Sequence, residues 1–251
     1  MANANRPLSQ HEANNGDSAR AILQRYADAW RGQEELQLER DLVIGFWVRG
    51  QDGGDYHIVL ASAPGANLHD GIPSQYDLGF ELDIDFLRRL DRGEMSAATA
   101  MAQARSSDPT PLIPRFGRQF GSMTDAALLF RRLCFHFWNR EWPEVVRFGD
   151  GTTREVHGGN AAVLVYDKEF RSAWYQLKPG MHINADPHDQ TNDHPNVVVV
   201  TRGRFKARLG GRERALGEGE AVFIPAGIAH EFWAEGDQYG EFVWMAFGPR
   251  A

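Results

Sequence analysis

The residues of this 251-residue chain best equipped for chemistry are histidines and their oxygen-bearing neighbours toward the carboxyl end. His230 closes the stretch Gly219-Glu-Ala-Val-Phe-Ile-Pro225-Ala-Gly227-Ile-Ala-His230. Pro225 fixes φ and Gly227 permits a positive-φ turn, so the flanking Ala221–Ile224 and His230–Trp233 runs read as the two strands of a hairpin. Upstream lies Asp186-Pro-His188-Asp-Gln-Thr-Asn-Asp-His194-Pro-Asn196. Residues two apart on a strand share a face, so Asp186 with His188, and His194 with Asn196, can each present a pair of donors. A catalytic divalent metal requires three or four N or O donors, at about 2.0–2.2 Å for zinc, with a position left for water or substrate. Asp186, His188, His194 and His230 form such a candidate set, and Asp186 or His194 can alternatively serve as general base. Asn196 is neutral and a poor ligand for zinc or iron. The same stretch also describes a polar surface loop in which Asp and Asn cap turns and proline sets their shape.

Positioning these groups falls to a series of short strands. From about Arg147 the chain alternates turn residues with apolar runs: Ala161–Tyr166, Ser172–Leu177, Asn196–Thr201, Phe205–Leu209, Ala221–Ile224, His230–Trp233 and Phe242–Phe247. Short strands at nearly regular spacing imply an all-β sandwich or barrel. Gly203 and Gly210-Gly211 supply hairpin turns between them.

The spacing glycine, five residues, Pro-x-Gly, two residues, His in Gly219–His230 resembles the second motif of the cupin barrels. The resemblance covers about residues 150–250 and implies a jelly-roll β-barrel with His230 facing its interior, where cupins usually bind a metal. The first cupin motif is altered. Lys178-Pro-Gly180 starts it and Gly203 ends it, but Asp186-Pro187-His188 stands at the His-x-His pair and Asn196 at the position of the usual glutamate. The implied cofactor is a divalent metal, Fe, Zn, Mn or Ni. Iron implies an oxygenase; the others imply an isomerase, lyase or hydrolase using the metal as Lewis acid.

Aromatic residues bear on the substrate. Trp174, Tyr175, Phe223, Phe232, Trp233, Trp244 and Phe247 alternate faces along their strands, and an apolar cup with few converging polar groups suits a small organic molecule. Trp174, Phe223 and Asn196 are assigned to this substrate pocket, with His182 at its mouth. Arg171, Arg202, Arg204 and Arg208 can clamp a carboxylate if one points inward, although alternation favours solvent-facing arginines on strands.

The amino-terminal half reads as α+β. Residues 1–17 lack an apolar run and read as a disordered tail. Ile22, Leu23, Tyr26, Ala27 and Trp30 recur at helical spacing within a helix over Ser18–Gln37. A hairpin of Leu42–Arg49 with Tyr56–Ala61, a strand over Tyr76–Leu82, and helical runs over Ile84–Asp91 and Glu94–Ala104 follow. Leu128–Trp142, apolar nearly all round, reads as a buried helix joining the halves. This order, with Asp83-Ile-Asp-Phe-Leu-Arg-Arg-Leu-Asp-Arg-Gly-Glu-Met, resembles the sterol-carrier-protein-2 family. That resemblance implies a small sheet with helices and an apolar ligand tunnel, although Arg105–Pro114 is turn-like where the family has a strand. The expected domains are therefore 18–145, sterol-carrier-like, and 146–251, the barrel.

A net charge of −7 argues against nucleic acid or an anionic membrane as partner. No stretch approaches the roughly 18 apolar residues of a membrane span. The single cysteine, Cys134, cannot form an internal disulfide and suits the cytoplasm. A metal-dependent enzyme acting on a small molecule competes with a non-catalytic binder of an apolar metabolite or lipid, and with a module that forms homodimers through barrel strands.

Overall fold

The computed structural model describes residues 16–32, 40–61, 63–105, 107–117, 123–140 and 145–251. Ser18 opens the first helix, α1 (Ala19–Asp28), its hydroxyl accepting the Ala21 N–H, and Ile22, Leu23 and Tyr26 of α1 are buried. The helix stops short of the expected Gln37 because its last carbonyls are used elsewhere: Ala27 O accepts from Ala66 N and Trp30 O from Gly65 N. Residues 33–37 of the expected helix, and 1–15 of the expected tail, lie outside the described residues.

Five strands form the first sheet: β1 (Leu42–Arg49), β2 (Gly54–Leu60), β3 (Asn67–Asp70), β4 (Leu78–Asp83) and β5 (Ile113–Phe116), in the order β3-β2-β1-β4-β5. All neighbours are antiparallel except β1 with β4, which are parallel. Two of these strands were not legible. β3 hides in the turn-rich run 64–73. β5 hides in what reads as a turn, because Pro114 marks it as no strand; Pro114 is tolerated since β5 is an edge. Helix α2 (Ile84–Asp91) follows β4, and α3 is only Ala97–Ala100, capped by Ser96, instead of the longer run expected to Ala104. Helix α4 is Met123–His136, so the expected Leu128–Trp142 element begins earlier, and Trp142 lies outside the described residues.

Apolar burial drives the packing of α4 on the sheet. Phe80 sits 4.8 Å from the ring of Phe130 and 5.3 Å from Trp138, and Phe46 lies 5.8 Å from Phe80. These buried aromatics, together with Phe137, fill the space between sheet and helix, where burial contributes about 1.5–3 kcal/mol per side chain.

The second layer is a nearly closed antiparallel barrel of β6 (Arg154–Val156), β7 (Gly159–Asp167), β8 (Phe170–Leu177), β9 (His182–Ile183), β10 (Asn196–Leu209), β11 (Arg212–Gly217), β12 (Ala221–Ile224), β13 (His230–Trp233) and β14 (Gly240–Phe247). β10 is one long strand, not the two expected around a turn at Gly203. Its first half pairs with β12 and β14 and its second half with β11 and β13, so one strand serves both walls, and β12 and β13 lie on different halves of it instead of pairing as the expected hairpin. The register on β14 shifts between Val200 and Arg202, and Gly203 bends the strand at φ 72°, where a β-carbon would strike Tyr239 O.

The layers are joined by specific polar contacts. The register of β7 on β8 shifts between Val163 and Val165, and there the Val163 N–H donates to Thr99 Oγ1 of α3 at 2.9 Å, with both residues buried. Arg154 of β6 donates to Ala100 O at 2.8 Å, to Pro109 O at 2.9 Å and to Ala102 O. Val163 is part of the same apolar core as α1, α4 and the first sheet. Among the described residues no helix is long and apolar enough to cross a membrane.

Candidate functional site

The histidines singled out by spacing divide into an outer pair and an inner pair. Asp186 caps a 3₁₀ turn over Pro187–Asp189, accepting from both the backbone N–H and ring Nδ1 of His188 at 3.0 Å. Proline at the first position and an aspartate cap favour that turn over the expected strand, so Asp186 and His188 do not share a barrel face. The His188 side chain is 91% exposed. The two N–H groups of His188, and then the Arg105 guanidinium, hold the Asp186 carboxyl down at about 2. Asp186 thus ties the barrel to the loop after α3.

His194 and His230 point the other way. His230 is buried, its Nδ1 3.0 Å from Ile228 O and its Nε2 3.3 Å from Asn192 Nδ2. A carbonyl accepts and an amide nitrogen donates, so His230 carries its proton on Nδ1. Burial depresses its protonation, and His194 and His157 lie near enough to depress it further. His194 is buried as well, its ring edge-on to Trp244 with centroids 6.2 Å apart. Arg171 Nη2 stands 2.8 Å from His194 Nε2. A guanidinium can only donate, so Nε2 is the acceptor and the His194 proton sits on Nδ1. Burial first, and the Arg171 charge second, hold His194 neutral.

These placements do not fit a metal. Among the described residues no three His, Cys, Asp or Glu side chains converge at ligand geometry. His188 and Asp186 face outward, Asn196 has no charge, and the available nitrogen of His194 is held by a permanent cation. A guanidinium at 2.8 Å repels a second cation from that nitrogen.

The pocket residues divide similarly. Asn196 is buried and donates from Nδ2 to His194 O at 3.4 Å. Phe223 is 58% exposed and packs on Phe247 outside the barrel, so it lines no pocket. Trp174 is buried beneath Phe148, their rings 5.5 Å apart, on the side of β8 away from Tyr175. His182 pairs with Glu231 at 2.7 Å, and Glu231 also takes Arg208, which makes a charge network at the barrel's end.

What the structure brings together instead is a cavity of about 450 Å³ between the layers. α3, α4 and β5 form one side of it and β7, β8 and β14 the other. Phe116, Phe130, Phe135, Tyr175 and Trp244 supply aromatic surface, while Arg131, Arg171, His157 and Tyr166 supply polar groups. Both guanidiniums lie against the Tyr166 ring, Arg131 at 4.1 Å and Arg171 at 5.4 Å from its centroid, and Arg171 Nη1 donates to Tyr166 Oη at 3.1 Å. Burial pushes the Tyr175 hydroxyl up to about 12. Arg171 Nε, His157 Nδ1, His194 Nδ1 and Asn196 Oδ1 are buried without a hydrogen-bond partner, and such atoms are rare in folded proteins.

Sequence reasoning had named Arg171 but expected it in solvent, and it passed over His157 and Arg131. His157 carries one signal in retrospect. It precedes Gly158-Gly159 and adopts φ 54°, an uncommon conformation for a residue with a side chain.

A segment of 52 residues, 21% of the chain, is 42% identical to D-lyxose/D-mannose isomerase of Escherichia coli O157:H7, and the match spans 22% of that enzyme's length. Among solved structures, a cupin 2 conserved barrel domain protein from Salinispora arenicola shows 18% identity over 41% of this chain and 88% of its own, with a TM-score of 0.36. A polyketide cyclase from Streptomyces resistomycificus shows 21% identity over 41% of this chain and 79% of its own, with a TM-score of 0.35. Residues 173–246, which run from β8 to β14, match the family described as Cupin domain.

Proposed function

We propose that the chain binds a small organic molecule in the cavity between the cupin barrel and the α+β layer, and that it does so without a metal. The cavity itself carries this reading. A concave site of about 450 Å³ with aromatic walls and a few convergent polar groups has the composition of a small-molecule site. Its walls come from both halves of the chain, so each layer is needed for the site. The apolar ligand expected of a sterol-carrier-like half would find the space between the first sheet and α4 taken by Phe46, Phe80, Phe130, Phe137 and Trp138, and would bind at the barrel-facing end instead.

The test is native mass spectrometry of gently purified protein, beside Ala98→Phe, which places a ring in the cavity from α3. A small molecule bound to wild type and displaced in the folded Ala98→Phe variant is the expected result. Wild-type protein that carries no molecule, and whose Tm responds to no member of a panel of small aromatic acids, amides and sugars, sinks the reading.

A second reading rests on the 42% identity to the isomerase. Sugar isomerisation needs a group that moves a proton, and His157, which lines the cavity and whose Nδ1 lies 3.7 Å from Asp189 Oδ2, is the residue placed for it. An aldose–ketose assay on wild type and His157→Gln decides it: turnover lost in the variant supports this reading, and no turnover by wild type removes it.

A further inference from the structure

Several arginines elsewhere in the protein are matched to carboxylates. Arg25 meets Asp91, Arg40 meets Asp77, Arg88 meets Asp85 and Arg115 meets Glu81. The two arginines of the cavity meet none among the described residues. The chain holds 34 acidic side chains, yet none lines the cavity among the described residues, where Arg131 and Arg171 both stand. Arg171 spends its donors on Tyr166 Oη and His194 Nε2, both neutral, and its Nε is buried without a partner. Arg131 rests on the face of the Tyr166 ring. Two cations gathered at one aromatic ring, partly withdrawn from water and unneutralised, are unfavourable for the empty protein. An anion between them relieves that cost.

We propose that the ligand of the cavity is an organic anion, with an apolar or aromatic body against Phe116, Phe130 and Trp244 and a carboxylate or phosphate headgroup held by Arg131 and Arg171. The proposal rests on the cavity being the ligand site and adds the charge class of what enters it. Guanidinium forks match both headgroups, because each presents two oxygens to parallel N–H donors. Both forks pack against the Tyr166 ring, and neutral His194 anchors the far edge of Arg171 without cancelling its charge. His157, whose Nδ1 makes no hydrogen bond and lies 3.7 Å from Asp189 Oδ2, is a further donor or acceptor for the same headgroup. The arrangement also accounts for the missing metal ligands: the permanent cation beside His194 is Arg171, and it recognises an anion as a metal would.

The probes are 2-naphthoate, 2-naphthyl phosphate and neutral 2-naphthamide, titrated against the full chain by tryptophan fluorescence and calorimetry. At least one anion is expected to bind about 10- to 100-fold more tightly than the amide, the gain of one or two charge-assisted hydrogen bonds. The ratio between the two anions tells carboxylate from phosphate. Arg131→Gln, which removes the guanidinium stacked on Tyr166, is expected to erase about tenfold of that preference, read as the ratio of anion to amide affinity within the same variant. Arg171→Gln is expected to do the same, with its Tm recorded because it also releases His194. Equal binding of anions and amide overturns the charge inference and leaves the cavity reading standing. Failure of all three probes to bind overturns both.

Discussion

Arg171 Nη2 lies 2.8 Å from His194 Nε2, so the ring nitrogen that a metal would use in this barrel faces a fixed positive charge. The contact fixes the tautomer of His194, keeps the ring neutral and turns Arg171, on a strand where alternation favours solvent, into the wall of the cavity.

Replacing Arg171 with Met removes one of the two influences that hold His194 neutral, the other being burial. The His194 pKa is expected to rise toward the ordinary 6.5 while staying below it, because the ring remains buried. Histidine ring NMR across a pH series reads this directly. An unchanged His194 titration in a folded variant means the guanidinium does not face the ring.

Protein purified without a histidine tag and reconstituted separately with iron, zinc, manganese and nickel is expected to retain no stoichiometric metal, and chelator is expected to leave its Tm unmoved. The reason is the donor set, with His188 in solvent and His194 held by Arg171. One metal per chain that disappears in His230→Ala would falsify this and restore His230 as a ligand.

Acid sensitivity follows from the inner histidines. Both His194 and His230 titrate below their ordinary 6.5 in the folded chain, so the unfolded chain binds protons that the folded one refuses. Their contribution to stability is complete above about pH 6.5 and is lost as pH falls from there through the depressed folded values. Urea unfolding between about pH 8 and pH 5.5 should show stability dropping on the acid side, with a shallower drop in His230→Gln. A flat profile in wild type contradicts the burial of these two rings.

The junction between layers has its own test. Thr99→Val keeps the shape of the side chain but leaves the buried Val163 N–H without its acceptor, which costs about 1–3 kcal/mol. Equilibrium unfolding measures it. A loss well under 1 kcal/mol would mean that the layers are held without this bond.

The barrel was legible because its determinants are local. Gly219 to His230 reads as two short strands around a turn from the dihedral limits of Pro225 and Gly227, and β12 and β13 have those bounds. They do not form the expected hairpin, because β12 pairs with the first half of β10 while β13 pairs with its second half and with β9. Local determinants also place α2 and the β1–β2 hairpin. β3 and β5 were not legible, because a four-residue edge strand is specified by the neighbour it joins and not by its own pattern. Gly203 misled for a related reason: a glycine with positive φ marks a hairpin turn or a bend within a strand equally well, and only the partners on both sides of β10 choose between them.

For the site, residue types and spacing determined that His230 opens a strand after a tight turn, and that oxygen and nitrogen donors cluster in the 186–196 loop. They did not determine which of those donors point inward. Asp186 and His188 were drawn outward by a capped 3₁₀ turn and by Arg105, a residue 81 positions away. Arg171 faces Tyr166 across the β7–β8 pairing, and the docking of α4 on β7 brings Arg131 to the same ring. Side-chain direction in a turn, and meetings between residues distant in sequence, depend on packing between elements, which no local pattern encodes. The sequence alone therefore determined a barrel and a set of donors, and tertiary packing decided that the polar centre of the cavity is two guanidiniums on Tyr166.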